Sequence, residues 1–428
     1  MRNIYRYKAE DNTAFIKKML LWSKAFDRSC ILHSNGYESL KSNYLYCDYG
    51  FIAGVGCREE IICNENAFES LKAFNKKTND FLFGYLSYDL KNEIEDLTSE
   101  NTDNLFFPAL HFFIPEYVFI YKDDIIELHY HAQLDPSRII EEIEAIEINF
   151  SKGESNLQSR ISKNEYLEII SKIKSYIKRG DIYEVNFCQE FYDENAEIDP
   201  YSVYQALKEV SPVPFGAFYR LGDKYLMCAS PERFLKKVGS TLISQPIKGT
   251  AKRGITKEED EAIIKELQTN PKERAENIMI TDLVRNDLSR SACKASVHVD
   301  ELCGVYTYPQ VHQMISTVSS VLRDDIDIVD AIKMAWPMGS MTGAPKVSAM
   351  KIIEDLETTK RSMYSGSIAY ITPEKDFDFN VVIRSLLYDT NSKYLSCTFG
   401  GAITMQSKAE SEYEECLLKA KAIKSIFA

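Results

Sequence analysis

The chain shows two regular patterns of apolar residues, one typical of strands and the other of helices. Segments rich in aromatic and β-branched residues predict strands in both halves of the chain. In the first half these are FLFGYLSYDL at 81–90 and EYVFIYKDDIIELHYHAQL at 116–134. In the second half, strands are predicted at 184–191, 224–230, 241–247, 367–371, 379–388 and 393–404.

Amphipathic periodicity predicts helices between these strands. In SKNEYLEIISKIKSYIKRGD, Ser162 is placed to cap a helix and Gly180 to end it. Further helices are predicted at 137–150, 257–289, 328–334, 344–356 and 408–426. Because strands and helices alternate, and most strand pairings must join distant segments, the predicted fold class is α+β, a mixed α/β chain.

The strongest change of composition falls in NFSKGESNLQSRISKNEY, at 149–166, which is polar and contains glycine and serine. Such a segment is typical of a connection between structural units. We therefore divide the chain into an N-terminal subdomain, 1–150, and a second domain, 151–428.

Composition narrows the classes of protein that the chain can represent. Its 428 residues carry a formal net charge of −13, which argues against a general nucleic-acid or membrane-surface binder. The ten cysteines form no C-x-x-C pair, so thiolate metal sites and redox motifs are not expected. A charged N-terminus without a signal-peptide core, and apolar runs shorter than ~18 residues, predict a cytoplasmic protein that spans no membrane.

Two segments carry closely spaced carboxylates. Glu273 and Glu276 stand three residues apart, as do Glu412 and Glu415, and Lys419 follows Glu415 by four. Residues at these spacings share a helix face. Two such helices can make an all-oxygen site that suits Mg²⁺. The same spacing also fits two solvated faces with Glu–Lys pairs.

Three single side chains stand in unusual surroundings. Glu232 follows a proline at the end of an apolar strand, where a raised pKa would suit a general acid. Taken alone, the segment favours an exposed turn glutamate paired with Arg233. Lys248, in SQPIKGTAKRG, is framed by proline, glycine and threonine at the end of a strand. Arg384 is the lone basic residue of FNVVIRSLLYD and needs either a substrate carboxylate or a structural ion pair.

Glycine-rich backbone occurs in PIKGT, WPMGSMTGAPK and TFGGAIT. Glycine lets a ligand approach the main chain, whose N–H groups can bind carboxylate oxygens. Each segment alone also fits an ordinary turn.

Taken in order, these segments resemble the chorismate-utilising enzymes. The resemblance covers nearly the whole chain and is densest from Gly180 to Lys419. The matching series is LHSNGY, FGYLSYDL, GDIYEVNFCQEF, SPERFL, PIKGT, RAENIMITDLVRNDLSR, GSMTGAPKVSAMKIIEDLE, YSGSIAY, VVIRSL and EYEECLLKA. It implies an anthranilate-synthase-like chorismate-binding fold, with antiparallel sheets packed face to face and helices outside.

The resemblance also implies roles for individual residues. Lys248 would be the nucleophile and Glu232 the general acid, while Glu276 and Glu415 would bind Mg²⁺ with Glu273 and Glu412 beside them. Residues that would hold the substrate are Arg384, Tyr364, Lys419, Thr250, Thr342 and the backbone of Gly401. Burial is expected to lower the pKa of Lys248, because the amine must be neutral to attack.

With its lysine, PIKGT resembles the motif of one branch of the family, the aminodeoxychorismate synthases, which aminate chorismate at C4. Anthranilate synthases typically read P-I-A-G-T at this place. Nothing in the chain resembles a glutamine amidotransferase domain, so ammonia is expected from a separate glutaminase subunit or from solution. The alternatives are an anthranilate synthase component and, from another class, a non-catalytic chorismate or tryptophan sensor.

Three positions need separate mention. Glu184 stands where aminating relatives usually carry glutamine and water-adding relatives carry lysine. Gln313 stands where many relatives have histidine, and His312 is one position earlier. ILHSNG resembles the tryptophan-binding segment of the family, which would place Ser34 at a tryptophan site.

Overall fold

Two large antiparallel sheets form the centre of the structure, a computed structural model that describes residues 2–37 and 47–427. One sheet has twelve strands and the other ten. The strands are β1 Asn3–Tyr7, β2 Arg28–His33, β3 Phe51–Val55, β4 Glu59–Cys63, β5 Leu82–Leu86, β6 Leu110–Ile114, β7 Tyr117–Lys122, β8 Ile125–Tyr130, β9 Gly153–Glu154, β10 Gln158–Ser159, β11 Glu184–Asp193, β12 Glu197–Ile198, β13 Phe215–Leu221, β14 Lys224–Ser230, β15 Arg233–Val238, β16 Thr241–Gln245, β17 Ile247–Lys252, β18 His298–Thr307, β19 Val311–Val321, β20 Gly343–Ala344, β21 Ser367–Ile371, β22 Phe377–Asn380, β23 Ser385–Asp389 and β24 Tyr394–Ile403.

Helices cover the outer faces of the sheets. They are α1 Asn12–Trp22, α2 Ala67–Lys77, α3 Pro136–Glu144, α4 Lys163–Arg179, α5 Pro200–Val210, α6 Lys257–Thr269, α7 Pro271–Ser289, α8 Ile328–Ala335, α9 Lys346–Leu356 and α10 Ala409–Lys424. Within the described residues, no helix is long and apolar enough to cross a bilayer.

Strand order is β1-β8-β7-β3-β2-β13-β14-β23-β24-β11-β10 in the larger sheet, with β20 beside β11. In the smaller sheet it is β17-β19-β16-β15-β22-β21-β5-β6-β4, with β18 beside β19. Strands from both sides of residue 150 are therefore neighbours in both sheets: β2 pairs with β13, and β5 with β21. The segments 1–150 and 151–428 are interleaved, so the predicted division describes subdomains that share their sheets.

The two sheets pack face to face through a shared apolar cluster. Tyr85 of β5 in the smaller sheet meets Tyr219 of β13 in the larger one edge to face, with ring centroids 5.2 Å apart. Burial of such large side chains is the main favourable contribution to folding. The outer face of the larger sheet packs against α1, α3, α5 and α10, and that of the smaller sheet against α2, α7 and α8. This layering confirms the predicted fold.

One predicted helix is in fact two. The segment 257–289 is broken between α6 and α7 at Asn270–Pro271. Proline has no N–H to continue α6, but it suits the first position of α7. The Asn270 side chain caps α7 by accepting from the N–H groups of Lys272 and Glu273, at 2.9 and 3.3 Å. The prediction of a single helix was wrong because it followed periodicity through this break.

Two strand predictions were also wrong in their extent. The segment 379–388 is divided between β22, in the smaller sheet, and β23, in the larger one. The segment 241–247 ends as β16 at Gln245, and a new strand, β17, carries Lys248. By contrast, the caps of α4 are as predicted: Ser162 forms a capping box with Glu165, and Gly180 follows the helix with φ of 87°.

Candidate active site

Lys248 lies in a buried ion pair that joins the two sheets. Its Nζ is 2.8 Å from Oε1 of Glu184, which begins β11 of the larger sheet. Lys248 itself is on β17, at one end of the smaller sheet. The side chains are only 11% and 1% exposed. From α7, Asn277 Nδ2 donates to the carbonyl of Lys248 at 3.1 Å. The next residue, Gly249, has φ of +96°, a conformation that favours glycine.

The ion pair reverses the expected direction of the pKa shift of Lys248. Burial lowers the pKa of Lys248, as predicted, but the charge and hydrogen bond of Glu184 outweigh it. The carboxylates of Glu276 and Glu232 act in the same direction, so the pKa is raised above its ordinary value. The expectation of a lowered pKa was therefore wrong, because it considered burial without the carboxylates that face the amine.

Glu232 is buried in the short connection between β14 and β15, with 4% of its surface exposed. Burial raises its pKa to about 7, against the opposing effects of a hydrogen bond from Ser340 and the positive charges of Lys248 and Arg384. Its neighbour Arg233 pairs instead with Asp378, at 2.9 Å. The alternative of an exposed glutamate paired with Arg233 was therefore wrong, and the raised pKa is confirmed.

Arg384 stands where the chain crosses from the smaller sheet to the larger. Its φ is +52°, an uncommon conformation for a residue with a side chain. The half-buried guanidinium has no hydrogen bond or ion pair to any described residue. Burial lowers its pKa, although Tyr308 and Glu232 act against that effect. The alternative of a structural ion pair therefore has no partner in the part of the chain that the structure describes.

The acidic residues of α7 and α10 approach one another around a lysine. Burial and the negative charge of Glu184 raise the pKa of Glu276 to about 7. Burial, with Glu415 nearby, raises the pKa of Glu412. Lys272 Nζ lies 3.8 Å from Glu276 Oε1, and its charge also opposes the shift at Glu412. Lys272 therefore pairs with Glu276 on its own helix and lies near enough to Glu412 of α10 to influence its pKa.

This donor set fits Mg²⁺. Mg²⁺ uses one or two carboxylates and completes its shell with waters and substrate oxygens. In residues 2–37 and 47–427, no three His, Cys, Asp or Glu side chains are gathered closely enough to hold a metal by themselves. A metal here would therefore depend on water and substrate as further ligands. The raised pKa values of Glu276 and Glu412 come mainly from burial, an effect that a bound cation would oppose.

Other predicted substrate-binding residues surround the acidic helices or support them. Lys419 Nζ contacts Glu415 at 2.9 Å and the carbonyl of Gly400 at 2.8 Å. A Cβ atom at Gly401 would lie 3.6 Å from Glu412 Oε2, so this backbone is beside the carboxylates. Glu273 Oε2 similarly approaches Gly249, next to Lys248.

Thr250, Thr342 and Tyr364 differ in their surroundings. Thr250 is exposed on β17, opposite Gln313 of β19. Thr342 is buried, and its hydroxyl donates to the carbonyl of Gly339 at 3.2 Å. The Tyr364 hydroxyl lies 3.5 Å from Cys188 Sγ in the core. The hydroxyls of Thr342 and Tyr364 thus have internal partners, and their roles toward substrate stay predictions.

Ser34 lines a separate cavity of about 50 Å³. Its hydroxyl donates to the carbonyl of Gly50 at 3.0 Å. The cavity lies between the sheets, with Asp48, Tyr49 and Asn380 among its other walls. This volume is room for a few water molecules.

His312 belongs to the core rather than the site. Its Nε2 is 2.8 Å from Asp260 of α6, and its Nδ1 is 2.9 Å from the Thr307 hydroxyl. Successive strand residues face opposite sides of a sheet, so His312 cannot substitute for the side chain at Gln313. The side-chain amide oxygen of Gln313, Oε1, is buried without a hydrogen-bond partner in the described structure.

Sequence reasoning missed three contributors. Ser340 bonds Glu232, Lys272 stands between the acidic helices, and Asn277 holds the backbone of Lys248. Asn277 and Lys272 lie on the same helix as Glu276, so their helical spacing was a usable signal. Ser340 offered none, because its contact with Glu232 spans distant parts of the chain.

Comparison with known proteins identifies the family. A family model described as chorismate binding enzyme matches residues 37–425. The chain is 34% identical over 356 residues to aminodeoxychorismate synthase component 1 of Bacillus subtilis strain 168, covering 79% of this chain and 75% of that protein. It is 33% identical over 365 residues to anthranilate synthase component 1 of Acetivibrio thermocellus, covering 79% and 73%.

The fold agrees with these matches. The crystal structure of anthranilate synthase component I from Streptococcus pneumoniae TIGR4 superimposes with a TM-score of 0.79 at 24% identity, over 87% of this chain and 91% of that one. The chain therefore belongs to the chorismate-binding enzymes, and it is an enzyme that uses chorismate.

Proposed function

We propose that the chain is component I of an aminodeoxychorismate synthase. It replaces the 4-hydroxyl of chorismate with an amino group, giving 4-amino-4-deoxychorismate for 4-aminobenzoate and folate synthesis. The observation that carries this proposal is Lys248: a buried amine of PIKGT, in an ion pair and close enough to Glu232 to affect its pKa. A nucleophile and an acid in one buried site suit a substitution in which a hydroxyl must leave.

In this reaction the neutral amine of Lys248 adds to C2 of the ring while Glu232 protonates the departing 4-hydroxyl. The pKa of about 7 leaves Glu232 protonated in a useful fraction of molecules near neutral pH. Ammonia then adds at C4 and the lysine is expelled. Arg384, Lys419 and Tyr364 hold the carboxylates of the substrate, and the half-buried guanidinium of Arg384 has no competing protein partner among the described residues.

Glu276 and Glu415 would hold Mg²⁺, supported by Glu273 and Glu412. When bound, the metal neutralises and orients the ring carboxylate. The backbone of Gly401, with Thr250 and Thr342, completes the pocket wall. The positive charge of Lys272 would have to move aside or be shared when a metal binds.

Ammonia reaches the site from a separate glutamine amidotransferase subunit. The B. subtilis relative is named component 1, which is consistent with a second component. Tryptophan would bind beside Ser34, where the cavity of about 50 Å³ would have to widen to admit an indole ring.

The test is a coupled assay with chorismate, Mg²⁺ and ammonium, followed by a lyase that releases 4-aminobenzoate. We expect Lys248→Ala to lose C4 amination by about a hundredfold or more, or to divert it toward C2. Lys237→Ala is the matched control, since Lys237 is also a buried strand lysine in an ion pair, 2.9 Å from Asp376. Unchanged 4-aminobenzoate formation by Lys248→Ala would refute the assignment.

The second candidate is an anthranilate synthase component, which the 33% identity to the A. thermocellus protein favours. That enzyme would aminate C2 and eliminate pyruvate. The products separate the two candidates, because anthranilate is fluorescent and forms without a lyase.

A further inference from the structure

We propose that Glu184 is the proton acceptor for Lys248: it holds the resting amine as an ammonium and takes its proton when the amine attacks chorismate. This inference rests on the proposed function. Glu184 is not among the residues assigned there as general acid, metal ligand or substrate-binding group.

The contact between the two groups is direct and enclosed. Oε1 of Glu184 is 2.8 Å from Nζ of Lys248. Apart from this ion pair, neither carboxylate oxygen of Glu184 has a hydrogen-bond donor among the described residues. A buried carboxylate normally collects several donors, because leaving water costs it much more than one contact returns. Lys248 is therefore the sole polar partner of the Glu184 carboxylate among the described residues, and the remaining lone pairs of the carboxylate accept no other hydrogen bond there.

The backbone fixes Glu184 in this position. Glu184 opens β11 and pairs with Ala344 of β20. The flanking N–H groups of Tyr183 and Asn186 donate to the carbonyls of Ala344 and Thr342, at 2.7 and 2.8 Å. A side chain on such a paired segment is more precisely placed than one on a loop.

The charges around the amine require an acceptor. The carboxylates of Glu184, Glu276 and Glu232 all face Lys248 and favour its protonated form, while Arg384 is near Glu232. An ammonium has no lone pair and cannot attack carbon. Glu232 is already assigned as the proton donor to the leaving hydroxyl, and Glu276 as a ligand of the metal. Glu184 is the carboxylate in hydrogen-bond range of the amine, so transfer to it needs no movement of either group.

The proton balance closes over one turnover. Transfer from Nζ to Oε1 converts an ammonium and a carboxylate into an amine and a carboxylic acid, without changing the net charge of the site. The amine forms the C2–N bond as the C4–O bond breaks, and the proton of Glu232 leaves with the hydroxyl as water. Ammonia then forms the C4–N bond and the C2–N bond breaks, releasing neutral lysine. Glu184 returns its proton to the lysine, and the new ammonium at C4 returns one to Glu232.

The decisive variant is Glu184→Gln, which keeps the size of the side chain but removes its basicity. With its counter-ion gone and its burial retained, Lys248 should have a lower pKa. Competitive labelling with acetic anhydride, read by peptide mass spectrometry, should show the midpoint for Lys248 moving down by about one pH unit or more. This measurement needs neither chorismate nor metal.

Activity gives the second readout. The variant must lose the lysine proton to solvent before attack, so its rate depends on the free-amine fraction. At pH 7 we expect a loss of about a hundredfold in C4 amination. The ratio of wild-type to variant rates should then fall about tenfold for each pH unit as the solution becomes more alkaline, until the amine is fully deprotonated. Using the ratio removes effects of Glu232 and of free ammonia, which are common to both proteins.

Glu190→Gln is the matched control. Glu190 is a buried carboxylate on the same strand and the same face, six residues away, but it pairs with Arg160 at 3.0 Å. It should leave the Lys248 midpoint and the pH dependence of the rate ratio unchanged.

The outcomes separate this inference from the proposed function. Failure of the wild type to form any C4 product would overturn the proposed function, and the role in attack with it. A wild type that makes the C4 product, with an unmoved labelling midpoint and a rate ratio independent of pH in Glu184→Gln, would overturn the role of Glu184 alone.

Discussion

At the scale of single residues, the site is marked by charged groups that the fold leaves incompletely compensated. Arg384 is the clearest case. Its guanidinium has no side-chain partner in the described ranges, and its backbone is held at φ +52°. Both features cost stability, and they make sense if a substrate supplies the missing carboxylate.

We therefore expect Arg384→Gly to weaken chorismate binding without lowering the stability of the fold. Glycine relieves the positive φ and removes a partly buried charge, so the unfolding free energy should stay the same or rise by roughly 1 kcal/mol. KM for chorismate should increase about a hundredfold, because an arginine–carboxylate contact is lost. Chemical denaturation and steady-state kinetics on one preparation measure both effects. A large loss of stability would show that Arg384 is structural.

The carboxyl of Glu232 predicts a pH dependence. Its pKa is raised to about 7, so the acid form required for protonating the hydroxyl declines above that pH. At a fixed concentration of free ammonia, kcat/KM for chorismate should fall about tenfold per pH unit on the alkaline side. A profile that stays level to pH 9 would contradict the role of general acid.

The same shift has a consequence for stability. Because the folded pKa is raised above the unfolded value, folding favours the protonated form, and the associated stability is lost as pH rises toward and through about 7. The gain in stability of Glu232→Gln over wild type should therefore be larger at pH 8 than at pH 5. Thermal unfolding of both proteins at both pH values measures this difference.

At the scale of elements, prediction from sequence succeeded where local chemistry decides and failed where distant contacts do. β14 and β21 have their predicted ends, and α4 has its predicted caps. The segment 379–388 is apolar on both sides of Arg384, and the prediction followed it as one strand although the chain leaves one sheet for the other there. A single charged residue inside an apolar segment does not by itself indicate a crossing.

The same limit applies to the site. The carboxylate pairs of α7 and α10 follow from spacing within a helix. The contact between Lys248 and Glu184 joins strands of different sheets, 64 residues apart by their numbers, and no local pattern indicates it. The sign of the Lys248 pKa shift depended on that contact.

The pair of acidic helices predicts how metal affinity should respond to charge. Glu276→Gln removes a ligand and should raise the Mg²⁺ concentration for half-saturation by about ten- to a hundredfold. Lys272→Met removes the positive charge that pairs with Glu276 and should lower that concentration several-fold. Both are measured from the Mg²⁺ dependence of thermal stability in the presence of chorismate.

Lys257→Met is the matched control for Lys272→Met. Lys257 also stands four residues before a glutamate, 3.9 Å from Glu261, but on the exposed face of α6. It should leave the Mg²⁺ dependence unchanged. An equal shift in both variants would mean that overall charge, rather than a specific site, determines the effect.

At the scale of the whole molecule, the proposed nucleophile and the proposed tryptophan cavity both lie where the two sheets meet. The Lys248–Glu184 pair joins β17 to β11, and the cavity beside Ser34 has walls from β2 in one sheet and β21 in the other. A ligand that widens the cavity would therefore press on both sheets. We expect calorimetry to detect tryptophan binding to protein freed of it, and weaker binding by Ser34→Ala. Absence of heat with the wild type would count against a tryptophan site.

The source of nitrogen is also a property of the whole chain. Hydrolysis of glutamine in an amidotransferase needs a cysteine thiolate, and reactive thiolates have lowered pKa values. Here burial raises the pKa of the thiols of Cys30, Cys47, Cys57, Cys188, Cys228, Cys303, Cys397 and Cys416. Thiols held in the protonated form are poor nucleophiles, which argues against these eight cysteines in such a role.

We therefore expect the purified chain to aminate chorismate with ammonium and not with glutamine. Adding a glutaminase subunit should create glutamine-dependent turnover without changing the product. The glutamine analogue 6-diazo-5-oxonorleucine, which alkylates activated cysteines, should abolish turnover with glutamine but leave turnover with ammonium intact. Glutamine-dependent product from the chain alone would show that the ammonia-releasing chemistry lies within it, and the proposed two-subunit enzyme would be wrong.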